Sequence, residues 1–170
     1  GTTAAFSTNP VTPPGVSTLT IGNTGAASAG SATLEVTGTS TTGPKSRTVG
    51  LDLYTAAPGA PGLTAPADGA INQPQRPTFE WTAAVQGGSY RLQVATDAGF
   101  ATLVVDQAGL TGTSYTPAGD LMSNTRHYWR VAADNACGPG AWSTAFMFDT
   151  VPLPGDCPAG ATPVSVASYG

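Results

Sequence analysis

The sequence predicts an all-β protein: an antiparallel β-sandwich over residues 67–150, preceded by a second, incomplete β-sandwich module at the N-terminus. Three observations carry this expectation. With 22 glycines and 15 prolines among 170 residues, turn formers are too frequent for long helices. Apolar residues recur at period two, the repeat of a strand with one buried face. Turn signals separate the apolar stretches at the spacing of short sandwich strands.

In chain order, Ala4-Ala5-Phe6-Ser7, Ser17-Thr18-Leu19-Thr20-Ile21, Ala32-Thr33-Leu34-Glu35-Val36-Thr37 and Val49-Gly50-Leu51-Asp52-Leu53-Tyr54 read as half-buried strands. Gly22-Asn23-Thr24-Gly25 and Thr41-Thr42-Gly43-Pro44 lie between them, where glycine supplies positive φ and proline fixes its own φ, so the chain can reverse. About four strands are few for two packed sheets, so residues 1–55 read as a partial module. Residues 56–66, with Pro58, Pro61 and Pro66 and no apolar period, read as a semi-rigid linker.

The main domain, residues 67–150, offers strands at Thr78–Thr82, Tyr90–Thr96, Leu103–Gln107, Thr113–Thr116, Thr125–Asp134 and Phe146–Thr150. Gln86-Gly87-Gly88, Asp97-Ala98-Gly99, Ala108-Gly109 and Gly138-Pro139-Gly140 read as the loops between them. Residues 151–170 open with a second proline-rich linker and end in an apolar run, Pro163-Val164-Ser165-Val166-Ala167, that suits a strand without a partner of its own.

Charged residues make up only 9% of the chain against 40% hydrophobic, a balance that fits extracellular β modules. A net charge of −4 with six scattered Lys and Arg gives no footprint for phosphate backbones or anionic lipid, which argues against nucleic acid and membrane partners. Cys137 and Cys157 are an even pair: they form a bridge in an oxidising compartment, or remain two buried thiols. Closing a loop of that length would contribute about 3 kcal/mol in the chain-entropy model.

Catalytic chemistry finds little to work with. His127 is the only histidine, so any Ser–His–Asp or Cys–His site must use it, and a two-histidine zinc motif is excluded within this chain. His127 with Cys137 and Cys157 lacks the spacing of a zinc site. The aspartates are spread singly and form no calcium loop. No metal, cofactor or catalytic residue is expected. Asp97 and Asp120 read as turn residues, and Phe79, Trp81, Tyr90, Phe100, Phe146 and Phe148 as core.

Trp81, Tyr90-x-Leu92-x-Val94 and Leu121 leading into Tyr128-Trp129-Arg130-Val131 resemble the fibronectin type III fold, in which these positions line the core between two sheets. The longer pattern Leu92-Gln93-Val94-Ala95-Thr96-Asp97-x-x-Phe100, followed by Asn135-x-Cys137-Gly138-x-Gly140-x-Trp142-Ser143, is similar to the variety found in large secreted bacterial proteins. Phe6 to Val11, Ser17 to Ile21 and Val36 to Thr39 resemble the last strands of a bacterial immunoglobulin-like module. The pair in this order is similar to the region behind the catalytic domain of secreted, reprolysin-like bacterial metallopeptidases.

The resemblance implies structural roles for Trp81, Tyr90 and Trp129. It also places Arg91, Gln93, Tyr128 and Arg130 on the opposite face of the neighbouring strands, with Trp142 at the start of the last strand. One departure is informative. In the fibronectin pattern a tyrosine sits six residues after the leucine opening the penultimate strand and closes a corner with its hydroxyl; counted from Leu121 this position holds His127. Either the histidine takes the corner through a ring nitrogen, or the register slips by one and Tyr128 turns inward.

The expected function is a non-catalytic spacer or protein-interaction module of a larger secreted bacterial protein, attached to other domains of that parent. Tyr115, Tyr128 and Trp142 with Arg91 and Arg130 are the candidates for an alternative, a surface binding an extracellular protein or a polysaccharide. Self-assembly by strand exchange, with Val164–Ser168 as donor, is a third.

Overall fold

A computed structural model of the chain describes residues 3–11, 16–22, 25 and 27–156. It divides into two units, Gly1–Ala56 and Ala57–Gly170.

The first unit holds two ribbons. Strand β1 (Thr3–Phe6) pairs antiparallel with β2 (Leu19–Gly22), and β3 (Gly30–Gly38) with β4 (Lys45–Leu53). Both follow the alternation in the sequence. In the longer ribbon Ala32, Leu34 and Val36 stand opposite Leu51, Val49 and Arg47, so one face carries the apolar side chains and the other Ser31, Thr33, Glu35 and Thr37. Ala4, Ile21, Ala32, Leu34, Leu51 and Leu53 line an apolar cavity of about 600 Å³. No described residue of this unit is fully buried. It has apolar faces but no closed core.

The second unit is a two-layer sandwich. One sheet has three strands in the order β10-β7-β5, formed by Ser114–Tyr115, Phe79–Trp81 and Leu63–Ala65. The other has six: the path β6-β13-β11-β8-β9 runs through Ala70–Gln73, Phe146–Thr150, Arg126–Asn135, Ser89–Ala95 and Leu103–Leu110, and β12 (Gly138–Trp142) pairs with β11. Neighbouring strands are antiparallel except β6 and β13, which run parallel. This is the antiparallel sandwich expected from the sequence, and every strand foreseen in residues 67–150 is present.

Burial follows the alternation. His127, Trp129, Val131 and Ala133 of β11 point inward and are fully buried, as are Leu92 and Val94 of β8. Phe79 sits at the centre, its ring 5.0 Å from Trp129 and 5.8 Å from Phe148, while Trp81 lies 5.7 Å from Tyr90. Tilted and edge-on ring pairs of this kind contribute beyond their buried area. The Tyr90 hydroxyl reaches the Ala84 amide at 3.1 Å, so its polar end is satisfied.

Three segments differ from the sequence reading. Most of the supposed linker, residues 56–66, belongs to the sandwich: Pro58, Pro61 and Pro66 are buried, Gly59 donates to the Val85 carbonyl, and β5 pairs with β7. The three prolines flank β5 (Leu63–Ala65) and lie outside its ladder, so their missing N–H groups break no pairing with β7. Residues 70–73, which have little apolar alternation, still form β6 through pairing with β13.

Gly138-Pro139-Gly140 is no loop but the start of β12. The reversal lies before it, at Ala136 and Cys137, closed by the Asn135 side chain accepting the Cys137 N–H at 2.8 Å. A Cβ at Gly140 would run into the Pro58 carbonyl oxygen, so the strand passes that backbone only without a side chain. Cys137 is an exposed free thiol, and no disulfide forms among the described residues. The expected partner Cys157 and the Pro163–Ser168 run lie outside the described residues.

Candidate functional site

The outward residues of β8 and β11 build the one cluster of charged and aromatic side chains that the sequence singled out. Because Trp129 and Val131 point inward, Tyr128 and Arg130 face outward, and Arg130 pairs in register with Gln93. The Arg130 guanidinium donates twice to Gln93 Oε1, at 3.0 and 2.8 Å. It also lies between two rings, 4.0 Å from the centroid of Phe100 and 4.3 Å from that of Trp142. Burial holds its pKa below the ordinary arginine value, and the like charge of Arg91 adds to this.

Further along the same face, Arg91 forms a two-pronged pair with Asp106 of β9 at 2.7 and 2.6 Å, and Gln93 Nε2 donates to the same carboxylate at 3.4 Å. The hydrogen bond from Arg91 is the main reason the Asp106 carboxyl stays below the usual carboxylate range. The chain of contacts thus runs Trp142, Arg130, Gln93, Asp106, Arg91 across strands β12, β11, β8 and β9. Gln93 is buried beneath it, a polar side chain kept dry because both ends of its amide have partners.

Phe100 is the member the sequence reading placed wrongly, in the core. It sits half-exposed on the outer face, in a left-handed backbone conformation with φ of 57°, unusual for a bulky residue. The cause is local. The Asp97 carboxylate accepts the amides of Gly99, Ala101 and Thr102 at 3.0, 3.1 and 2.7 Å, which closes the loop tightly and turns Phe100 towards Arg130. Those amide bonds, chiefly from Ala101 and Thr102, also lower the Asp97 pKa. The Asp97 turn role was readable; the direction of Phe100 was not.

Of the proposed binding residues, Arg91, Arg130 and Trp142 come together, with Tyr128 half-exposed on the same side of β11. Tyr115 does not join them. It lies on β10 in the other sheet, partly buried against the core, because inter-sheet packing takes its ring. Trp142 ends β12 instead of opening the last strand, and one face of its ring is covered by Arg130. The arrangement therefore clamps four strands to one another, and its guanidinium groups are engaged within the protein. Among the described residues, no three His, Cys, Asp or Glu side chains are grouped to hold a metal ion, and no helix is long and apolar enough to cross a membrane.

His127 settles the register. It is fully buried, stacks on Phe148 at 5.4 Å between ring centroids, and brings Nδ1 to 3.1 Å from the Thr125 carbonyl oxygen. Tyr128 stays outside. The histidine occupies the corner position, closing it on the backbone two residues upstream of itself.

No family model matches the chain, and no curated protein matches it in sequence. Solved structures do. A Fn3-like protein from Clostridium thermocellum is 20% identical over 58% of this chain and 96% of its own, with a TM-score of 0.42. The sixth fibronectin type III domain of the human fibronectin type III domain containing protein 3 is 22% identical over 64% and 98%, with a TM-score of 0.42.

Proposed function

We propose that the chain is a non-catalytic extracellular accessory region of a larger secreted bacterial protein, acting as a spacer or protein-interaction domain, with a metallopeptidase as the parent class. The observation that carries this reading is the closed sandwich of the second unit, whose outward Arg91 and Arg130 are engaged by Asp106, Gln93 and Trp142 of its own strands. A face organised in that way stiffens a support; side chains engaged in internal pairs contribute little to capturing a ligand.

The test is retention of the 170-residue chain on insoluble polysaccharides, with Trp142→Ala as the control. The spacer reading expects no retention by either chain. Retention that the substitution abolishes would replace it with carbohydrate binding through the outer-face aromatics.

A second reading concerns the first unit alone. Its two ribbons keep an apolar cavity open and leave Val49 52% exposed, which favours completion by added strands, from a second copy or from another segment of the parent. Mass in solution across a concentration series tests the first source. A chain that stays monomeric has no obligatory strand exchange.

A further inference from the structure

We infer that His127 is an acid-sensitive latch of the sandwich: a neutral imidazole locked as the Nδ1–H tautomer, whose protonation at Nε2 opens the corner where β11 meets β13.

The hydrogen-bond chemistry fixes the tautomer. The atom within reach of Nδ1 is the Thr125 carbonyl oxygen, which only accepts, so Nδ1 carries the proton. Nε2 is buried and has no hydrogen-bond partner. As a bare lone pair among apolar groups it is tolerable; as an N–H in a charged ring it would need an acceptor that the packing does not offer. The ring lies nearly parallel to Phe148, 20° between planes, so tilting it outward would break that stack.

The surrounding charges do not rescue the cation. Asp149 on β13 favours the protonated ring, but its carboxylate already holds Arg126, the neighbour of His127 on β11, through bonds of 2.9 and 2.9 Å. Tyr128, the other neighbour, points to the opposite face. Thr150 spends its hydroxyl on the carbonyls of Met122 and Thr125, at 2.6 and 3.2 Å. Burial outweighs the Thr125 bond and Asp149, and the pKa of His127 falls below the ordinary histidine value.

The sign of the linkage follows. The unfolded chain takes up a proton near the ordinary value of 6.5 while the folded chain does not. The stability conferred by the neutral ring is therefore fully present above that value. It declines as pH falls from there towards the folded-state pKa, by at most about tenfold in the folding equilibrium constant per pH unit for a single proton. The carboxylates with lowered pKa act in a separate, more acidic window, below their ordinary value of 3.8.

The sequence makes the test clean. His127 is the only histidine, and all three tryptophans, Trp81, Trp129 and Trp142, report on the second unit. Nitrogen-15 NMR of the imidazole in the full chain reads tautomer and titration directly, and urea unfolding followed by tryptophan fluorescence between about pH 7.5 and 5 reads the linkage. The latch predicts an Nδ1–H ring titrating below the ordinary value. It also predicts a wild-type folding constant that drops across this range, while His127→Tyr, which supplies a hydroxyl without a charge, stays flat. An Nε2–H ring, titration at or above the ordinary value, or an equal drop in His127→Tyr would overturn it. Should the variant not fold, the NMR measurement on the wild-type chain decides alone.

Discussion

The two units spend similar strand-forming sequence very differently. In the first, β3 and β4 pair over nine positions and gather Ala32, Leu34, Val36, Val49 and Leu51 on one face, yet no described side chain becomes fully buried. In the second, β7, with its three residues, contributes two fully or nearly fully buried aromatics. Strand pairing satisfies the backbone; stability comes from a second sheet closing over the apolar face. The contrast teaches that hairpin length is a poor guide to which unit stands alone.

Substitutions sharpen this contrast. The largest effect is expected at Trp129, fully buried, tilted against Phe79 and edge-on to Phe146: Trp129→Ala should cost about 3–5 kcal/mol in chemical denaturation. Leu34→Ala on the open face of β3 removes a side chain already partly in water and should cost about 1 kcal/mol. A loss at Leu34 equal to that at Trp129 would mean that the first unit has a core of its own.

Gly140→Ala comes next. The added methyl has nowhere to go but into the Pro58 backbone, so a cost of about 1–3 kcal/mol is expected in thermal melting. An unchanged melting temperature would show that the 58–62 segment is only loosely attached to β12. The outer face is expected to matter as little as Leu34: Trp142→Ala removes one of the two rings on Arg130 and should lower stability by about 1 kcal/mol. A much larger loss would give the outer ladder the weight now assigned to the core.

What the sequence disclosed follows the same division. Strong alternation with large residues, as in Tyr90-Arg91-Leu92-Gln93-Val94, placed strand and face together; for His127 to Val131 two registers stayed open, and the buried His127 selects the one that keeps Tyr128 and Arg130 outside. Strands β5, β6 and β12 were missed because prolines, polar residues and glycines hide a period of two; each is held by a neighbour and not by its own preference. Of the candidate surface, Arg91 and Arg130 were legible from the strand faces that the resemblance implies; Trp142 was grouped with them but expected at the start of the last strand, not at the end of β12. Tyr115 was misplaced because a two-residue strand has no period to read, and Phe100 because its direction depends on a left-handed residue inside the Asp97-capped loop.

Residue-resolved amide hydrogen exchange on the full chain, at a concentration where it is monomeric, tests the central claim most directly. The account predicts that amides of β8 and β11 exchange only through global opening of the second unit, while those pairing β3 with β4 exchange at least about 100-fold faster. Protection of β3 and β4 equal to that of β8 and β11 would contradict it, and the first unit would then be a complete domain.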